Sequence, residues 1–397
     1  MLELDAFGAF SKLKTPFYYY DTALLRRTAD FVAAEAARYG ITVHYALKAN
    51  SSGKIIREFV SRGFGADCVS GAEVLLADSC GVPAEKIFFA GVGKSDAEIS
   101  DALRIGIGAF NCESLQEMEV IDDMAAGLGV KARVALRINP DVDAHTHRYI
   151  TTGLSENKFG IYSHEFDRAI ELLKTSERLE FVGLQFHIGS QITDIENVIR
   201  AECGKINGIT EHFESRGLLV RSIDLGGGLG VDYEDPDGNP VPDFTAWFRT
   251  IGECLRRRPD QIVHVEPGRA MVAQCGTLVS RVLFVKCGKT RNFLVLDAGM
   301  NDLIRPALYG AYHKIENLSA YYERGSDVRD CAYDVVGPVC ESSDVFGEHR
   351  ILRRSYRGDL IAIRSAGAYG SAMSSRYNLR PPAPDVFSDE IVNFANL

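Results

Sequence analysis

Tyr45-Ala46-Leu47-Lys48-Ala49-Asn50 closes a strand-like run, residues 43–47, with a lysine and a turn of small and polar residues. An ammonium group is costly to remove from water. A lysine at such a strand end is either an ordinary solvent-facing side chain or an amine kept for chemistry, such as condensation with the carbonyl of an aldehyde cofactor. Four later segments read as parts of one pocket with it: His187-Ile188-Gly189-Ser190, Gly226-Gly227-Gly228, Glu266-Pro267-Gly268-Arg269 and Cys340-Glu341-Ser342.

Outward from this lysine, short β-like runs alternate with longer stretches of helical spacing. The strand-like runs are residues 43–47, 65–68, 87–90, 108–111, 133–138, 182–187, 222–225 and 262–266. Helical spacing recurs over residues 22–39, 113–126, 164–173 and 195–216. Repeated β-α alternation implies a parallel sheet, and eight units suggest a closed (β/α)₈ barrel. An open doubly wound sheet is the alternative. Lys48, Asp67, Arg137, His187, Gly226 and Glu266 fall at or just past the C-terminal ends of these runs, where barrel active sites are built. Beyond residue 272 the texture changes to strand-like runs at 277–285, 292–296, 332–336 and 360–364, with little helical pattern between them. A mostly antiparallel β domain is expected there, joined by a strand from Phe17-Tyr18-Tyr19-Tyr20. The expected division is a barrel over residues 21–271 and a β domain from residues 1–20 and 272–397.

Composition narrows the function class. The chain has 397 residues and a net charge of −10, which argues against a nucleic-acid binder. The first residues carry no basic segment before an apolar run, and no apolar stretch is long enough to span a bilayer, so a cytoplasmic protein without a membrane partner is expected. The nine cysteines are odd in number and form no CxxC pair, which suits free thiols in a reducing compartment. No metal pattern is apparent, and His145 and His147 read as a surface or substrate loop.

A glycine triplet after a strand lets backbone N–H groups approach phosphate oxygens, although a tight turn accounts for it equally. Arg269 and Ser190 supply further phosphate donors. Glu266 either pairs with Arg269 or faces a pyridine nitrogen and favours its protonated form. His187 is a stacking residue or a core histidine. Cys340 is a candidate acid, and Arg305 and Tyr309 are candidate carboxylate binders.

The ordered set of segments at 45–50 (YALKAN), 187–192 (HIGSQI), 226–230 (GGGLG), 266–269 (EPGR), 305–309 (RPALY), 337–342 (GPVCES) and 368–381 (AYGSAMSSRYNLRP) resembles the pyridoxal-phosphate-dependent decarboxylases with an alanine-racemase-like barrel. The stretch from Asn139 through His147 to Gly160 is similar to the branch acting on diaminopimelate. The resemblance spans about residues 15 to 382. It implies that Lys48 carries pyridoxal 5'-phosphate, that His187 stacks on the ring, and that Glu266 pairs with its nitrogen. Ser190, Gly227, Gly228, Gly268, Arg269 and Tyr369 would surround the phosphate, with Asp67, Glu73 and Arg137 in support. Arg269, Arg305, Tyr309, Glu341 and Tyr369 would bind substrate, and Cys340 would deliver a proton. The expected assembly is a homodimer in which Cys340 and Glu341 complete the partner's site. The expected reaction is decarboxylation of meso-2,6-diaminopimelate to L-lysine. Decarboxylation of ornithine, arginine or carboxynorspermidine, racemisation, and a non-catalytic carrier are the rival readings. Many relatives carry an arginine-rich closing helix after the segment matching Tyr377-Asn378-Leu379-Arg380-Pro381, and none is expected in the residues that follow it here.

Overall fold

The computed structural model describes residues 4–140, 158–324 and 329–394. His145, His147 and most of the 139–160 motif lie outside them. The chain divides into two compact units. One comprises Ala29–Gly230 and Asp243–Ala270; the other comprises Met1–Thr28, Val231–Pro242 and Met271–Leu397. Residues 231–242 thus cluster with the second unit although their sequence interrupts the first.

The strands, in chain order, begin with β1 (Phe17–Tyr20). Then come β2 (Ile41–Ala46), β3 (Gly65–Cys68), β4 (Ile87–Phe89), β5 (Ala109–Cys112), β6 (Ala132–Ile138), β7 (Leu179–Phe186), β8 (Ser222–Asp224) and β9 (Ile262–Val265). Strands β2 to β9 pair in sequential order, each parallel to its neighbours, and β9 returns to β2. Closure excludes the open sheet. Every strand therefore directs its C-terminal end to one rim, where the loops into the following helices begin. Serines stop several strand exits and start the next helix. Ser70 Oγ accepts the Glu73 N–H, and Ser114 Oγ accepts the Glu117 N–H. Ser95 and Glu98 form a reciprocal capping box.

The lower barrel interior contains a histidine pair. His44 Nδ1 lies 3.1 Å from the Lys86 carbonyl, which can only accept, so His44 carries its proton there. Its Nε2 then accepts from His264 Nδ1 at 3.0 Å. Phe88 stacks on His44 at 4.0 Å. Gly65 opposite has no room for a side chain, because a Cβ there would stand 2.4 Å from His44 Nδ1.

The second unit adds β10 (Gly276–Cys287), β11 (Asn292–Leu296), β12 (Ile315–Asn317), β13 (Asp330–Val336), β14 (Val345–Arg353), β15 (Leu360–Ile363) and β16 (Asp385–Phe387). Their order is β12-β15-β10-β11-β13-β14, with β1 antiparallel to β10 and parallel to β16. The sheet is mostly antiparallel; β11 with β13 is the other parallel pair. Short helices at Arg305–Tyr309, Leu318–Tyr322 and Ser388–Phe394 interrupt the strands, more helix than the sequence texture implied. A core of Phe7, Phe10, Phe17, Tyr19, Val279, Leu360 and Ala362 backs the sheet. Among the described residues no helix is long and apolar enough to cross a membrane.

Candidate active site

The strand β2 gives way to a single 3₁₀ turn, Leu47–Ala49, which projects Lys48 from the rim. Lys48 Nζ stands 3.7 Å from the buried carboxylate of Asp67 on β3. Burial raises the Asp67 pKa, and the charges of Lys48 and Arg137 oppose that rise. The backbone of the lysine turn is fixed from behind. The Ala46 N–H donates to the Pro267 carbonyl, and a Cβ on Gly268 would press to 3.1 Å on Ala46 and Ala49. The Lys48 turn and the Glu266-Pro267-Gly268-Arg269 loop are thus in direct contact.

Glu266, just past β9, is buried, and its two oxygens accept from different amides. Gln185 Nε2 on β7 donates at 2.9 Å and Asn111 Nδ2 on β5 at 3.4 Å. These strands are not neighbours of β9, so the bonds cross the barrel interior. Burial, then the negative charges of Asp224 and Asp67, push the Glu266 pKa well above the usual carboxylate range. A positive group placed against it would relieve that cost.

The glycine loop leans on both flanking strand exits. A Cβ on Gly227 would lie 2.3 Å from the Glu266 carbonyl, and one on Gly228, at φ +123°, would lie 2.7 Å from the Gly189 carbonyl. Only glycine fits there. The Gly227 N–H points to His187 Nδ1 at 3.4 Å, so this ring nitrogen is an acceptor. Burial, reinforced by Lys48 and Arg137, holds the imidazole pKa well below its ordinary value and keeps the ring neutral. Arg269, itself buried, donates from Nη2 to Ser190 Oγ at 2.9 Å.

Arg137 is oriented by Glu113 at 2.7 Å, and the same carboxylate accepts the Gly91 and Gly160 N–H groups. The Glu73 carboxylate accepts the Val69 N–H at 2.7 Å, and burial pushes its pKa up to about 7. Asn111, Glu113, Gln185 and Asp224 were missed by the sequence reading. Their common signal is a polar residue at or next to the last inward position of a strand-like run.

The second unit holds the remaining predicted residues. Arg305 is buried, its guanidinium over the Tyr233 ring at 4.8 Å and its Nη1 2.8 Å from His313 Nε2. His313 Nδ1 faces the Arg364 carbonyl at 2.8 Å, so it carries the proton and Nε2 accepts from Arg305. Tyr309 ends the same short helix, half-buried. Tyr369 adopts φ +57°, a left-handed conformation uncommon for an aromatic residue. Cys340 and Glu341 are exposed. Their loop is tied down by buried Asp344, which accepts the Val339 N–H at 2.6 Å and the Met300 N–H at 2.7 Å. Glu341 Oε1 accepts from Tyr377 Oη, and Asn378 Oδ1 accepts the Cys340 N–H. Among the described residues no group of three or more His, Cys, Asp or Glu side chains is placed to hold a metal ion.

The family model for the pyridoxal-binding domain of pyridoxal-dependent decarboxylases matches residues 24–273. The diaminopimelate decarboxylase of Bacteroides thetaiotaomicron is 52% identical over 384 residues, covering 96% of this chain and 98% of that one. The chain belongs to the diaminopimelate decarboxylase family. The crystal structure of diaminopimelate decarboxylase from Helicobacter pylori complexed with L-lysine superposes with a TM-score of 0.87 at 40% identity, over 96% of this chain and 93% of that one. A lysine/ornithine decarboxylase from Vibrio vulnificus, at 24% identity over 98% of this chain and all of its own, shares the fold with a TM-score of 0.82.

The cofactor of this chain is pyridoxal 5'-phosphate, and the barrel rim fits it. The glycine loop leaves no space for side chains and packs on Gly189 and Glu266, the segments that carry the Ser190–Arg269 pair, as a phosphate cradle requires. Lys48 offers an amine at the same rim. The buried carboxylate oxygen Asp67 Oδ1 meets no N–H or O–H donor among the described residues, and Glu266 adds a second buried acid. Such a concentration of buried negative charge suits a ring with a protonated nitrogen.

Proposed function

We infer that the chain decarboxylates meso-2,6-diaminopimelate to L-lysine and carbon dioxide, the last step of lysine biosynthesis. The observation that carries the chemistry is Glu266, a buried carboxylate held by two amides at the rim that bears Lys48. Lys48 is the amine that holds the cofactor. Bound pyridoxal phosphate withdraws electrons from the substrate carbon that loses its carboxylate. Glu266 keeps the ring nitrogen charged, and neutral His187 stacks on the ring without adding a competing positive charge. Ser190, Gly227, Gly228, Gly268 and Arg269 hold the phosphate, and Tyr369 is assigned to the same role. Asp67, Glu73 and Arg137 support the pocket. Arg305, aligned by His313 and Tyr233, binds the distal carboxylate, with Arg269, Tyr309 and Tyr369 in the same substrate set. Glu341 takes the distal ammonium. A pocket offering both charges rejects substrates that lack either group, because its own polar groups would then be left unpaired.

Cys340 delivers the proton that replaces carbon dioxide. We propose that Cys340 and Glu341 each act in the site of the partner in a homodimer. Their exposure supports this, as does Leu379 beside Asn378, which is 95% exposed and would otherwise leave an apolar side chain wholly in water. The reading is tested by incubating the holoenzyme separately with meso-diaminopimelate, ornithine, arginine and carboxynorspermidine. Lysine from the first alone is expected. Release of a different amine would overturn the roles of Arg305 and Glu341. Mixing Lys48→Ala with Cys340→Ala protein tests the shared site: activity should return to about a quarter of the native level, since one dimer in two then holds one intact site. Two inactive proteins that stay inactive after subunit exchange would refute sharing.

A further inference from the structure

Asp224 has no part in the roles assigned above, yet its carboxyl is fully enclosed at the end of β8. Its Oδ1 accepts the N–H of Gly226, the first residue of the glycine loop, at 2.8 Å. The Gly226 carbonyl in turn accepts the Glu266 N–H at 2.7 Å, and the Leu225 N–H donates to the His264 carbonyl at 3.0 Å. The ends of β8 and β9 are therefore laced together at the point where the phosphate loop departs.

The other oxygen poses a problem of protons. Asp224 Oδ2 is buried and meets no N–H or O–H donor among the described residues, while the Asp224 carboxyl is within hydrogen-bonding reach of Glu266. Two carboxyl groups bond one another only across a shared proton. In a dry interior two adjacent carboxylates do not both ionise. A protonated Asp224 satisfies every atom: Oδ1 accepts from Gly226, and Oδ2–H donates to Glu266. Burial pushes the Asp224 pKa up to about 7. The other charged groups around the pair are Asp67, Lys48 and buried Glu202, whose own pKa is raised first by burial and then by Asp224.

We propose that Asp224 is a positioning residue that shares one proton with Glu266 and thereby presents Glu266 as a singly charged, fixed acceptor while anchoring the phosphate loop through Gly226. The proposal rests on the reading of Glu266 as the partner of the ring nitrogen. Asp224 touches neither substrate nor cofactor in this account; it donates the third hydrogen bond to Glu266, after Gln185 and Asn111. No proton is consumed, because the shared one remains within the pair.

The experiment is infrared difference spectroscopy of the full-length holoenzyme at pH 7, with the carboxyl carbons isotopically labelled. The native protein should show a protonated buried carboxyl. Asp224→Asn retains an acceptor for Gly226 and a donor for Glu266, so it should keep the cofactor absorbance while losing that signal. An undiminished signal in Asp224→Asn overturns the proposal. Should that variant fail to fold, Glu266→Gln supplies an amide donor to Oδ2, lets Asp224 ionise, and should abolish the same signal; persistence there overturns the proposal equally. Cofactor absorbance and lysine release from the native samples report separately on the functional reading, whose failure would leave the carboxyl signal to be judged by itself.

Discussion

The two units hold their reactive side chains in opposite ways. In the barrel, Asp67, Glu266, Arg269 and Arg137 are buried and cross-bonded, and even the lysine sits on a turn locked by its neighbours. In the β unit, Cys340 and Glu341 stand exposed on a loop tethered by the Asp344 carboxylate beneath it and by Tyr377 and Asn378 at its face. A cofactor must be gripped in one geometry through every turnover, and a closed parallel barrel supplies that rigidity. The exposed thiol and carboxylate of the β unit suit the proposed role in a partner's site, whereas the enclosed barrel residues suit a fixed cofactor.

The sharpest way to break this comparison is Lys48→Ala, which should reduce turnover by several orders of magnitude and remove the absorbance of covalently held cofactor. Retained absorbance would mean that another amine holds the aldehyde. Cys340→Ala should slow lysine release by roughly 10²–10⁴-fold, the usual worth of a positioned proton donor, and leave cofactor absorbance unchanged. Full activity would show that the exposed loop does no chemistry. Gly228→Ala places a Cβ 2.7 Å from the Gly189 carbonyl at a φ of +123°, and strain of about 1–3 kcal/mol should weaken cofactor affinity roughly tenfold or more. An equilibrium titration with pyridoxal phosphate that gives the native Kd would mean that the loop yields.

The smallest expected effect concerns the barrel floor. Burial lowers the His264 pKa from 6.5 to about 4, and burial together with its histidine neighbour depresses His44 further below its usual value. The unfolded chain takes up these protons first. Stability is therefore complete above about pH 6.5 and is lost as pH falls toward 4, by roughly 3 kcal/mol for His264 alone. Urea midpoints measured across this range should fall in the native protein and fall less in His264→Asn. Parallel curves would place the acid lability elsewhere.

Much of the barrel was legible because its strands are apolar runs closed by glycine, proline or a serine cap. Strand β3 matches its expected run, and the others differ by a few residues at their ends. The β unit was read less fully. Strands β12 and β16 are three residues each, and β14, Val-Phe-Gly-Glu-His-Arg-Ile-Leu-Arg, is a half-exposed edge strand whose polar residues hide its period. For the site, lysine, glycine and arginine announce themselves by chemistry and spacing. Asn111, Gln185 and Asp224 do not, because a polar residue in a strand reads as solvent-facing until closure of the barrel turns it inward. Tyr377 as the hydrogen-bond partner of Glu341 was equally hidden, since only the tertiary fold brings positions 341 and 377 together.

The pairing of β1 with both β10 and β16 has a consequence for biosynthesis. Tyr20 leaves the ribosome early, but its neighbours Gly276 and Phe387 follow only after the entire barrel has been translated. The β unit is consequently completed last, after a barrel free to begin folding during synthesis. Until then, the three tyrosines and one phenylalanine of β1 are an unpaired apolar segment on the nascent chain. Translation speed through the final residues sets how long that segment waits, so the interval in which a chaperone is useful is written into the strand order itself.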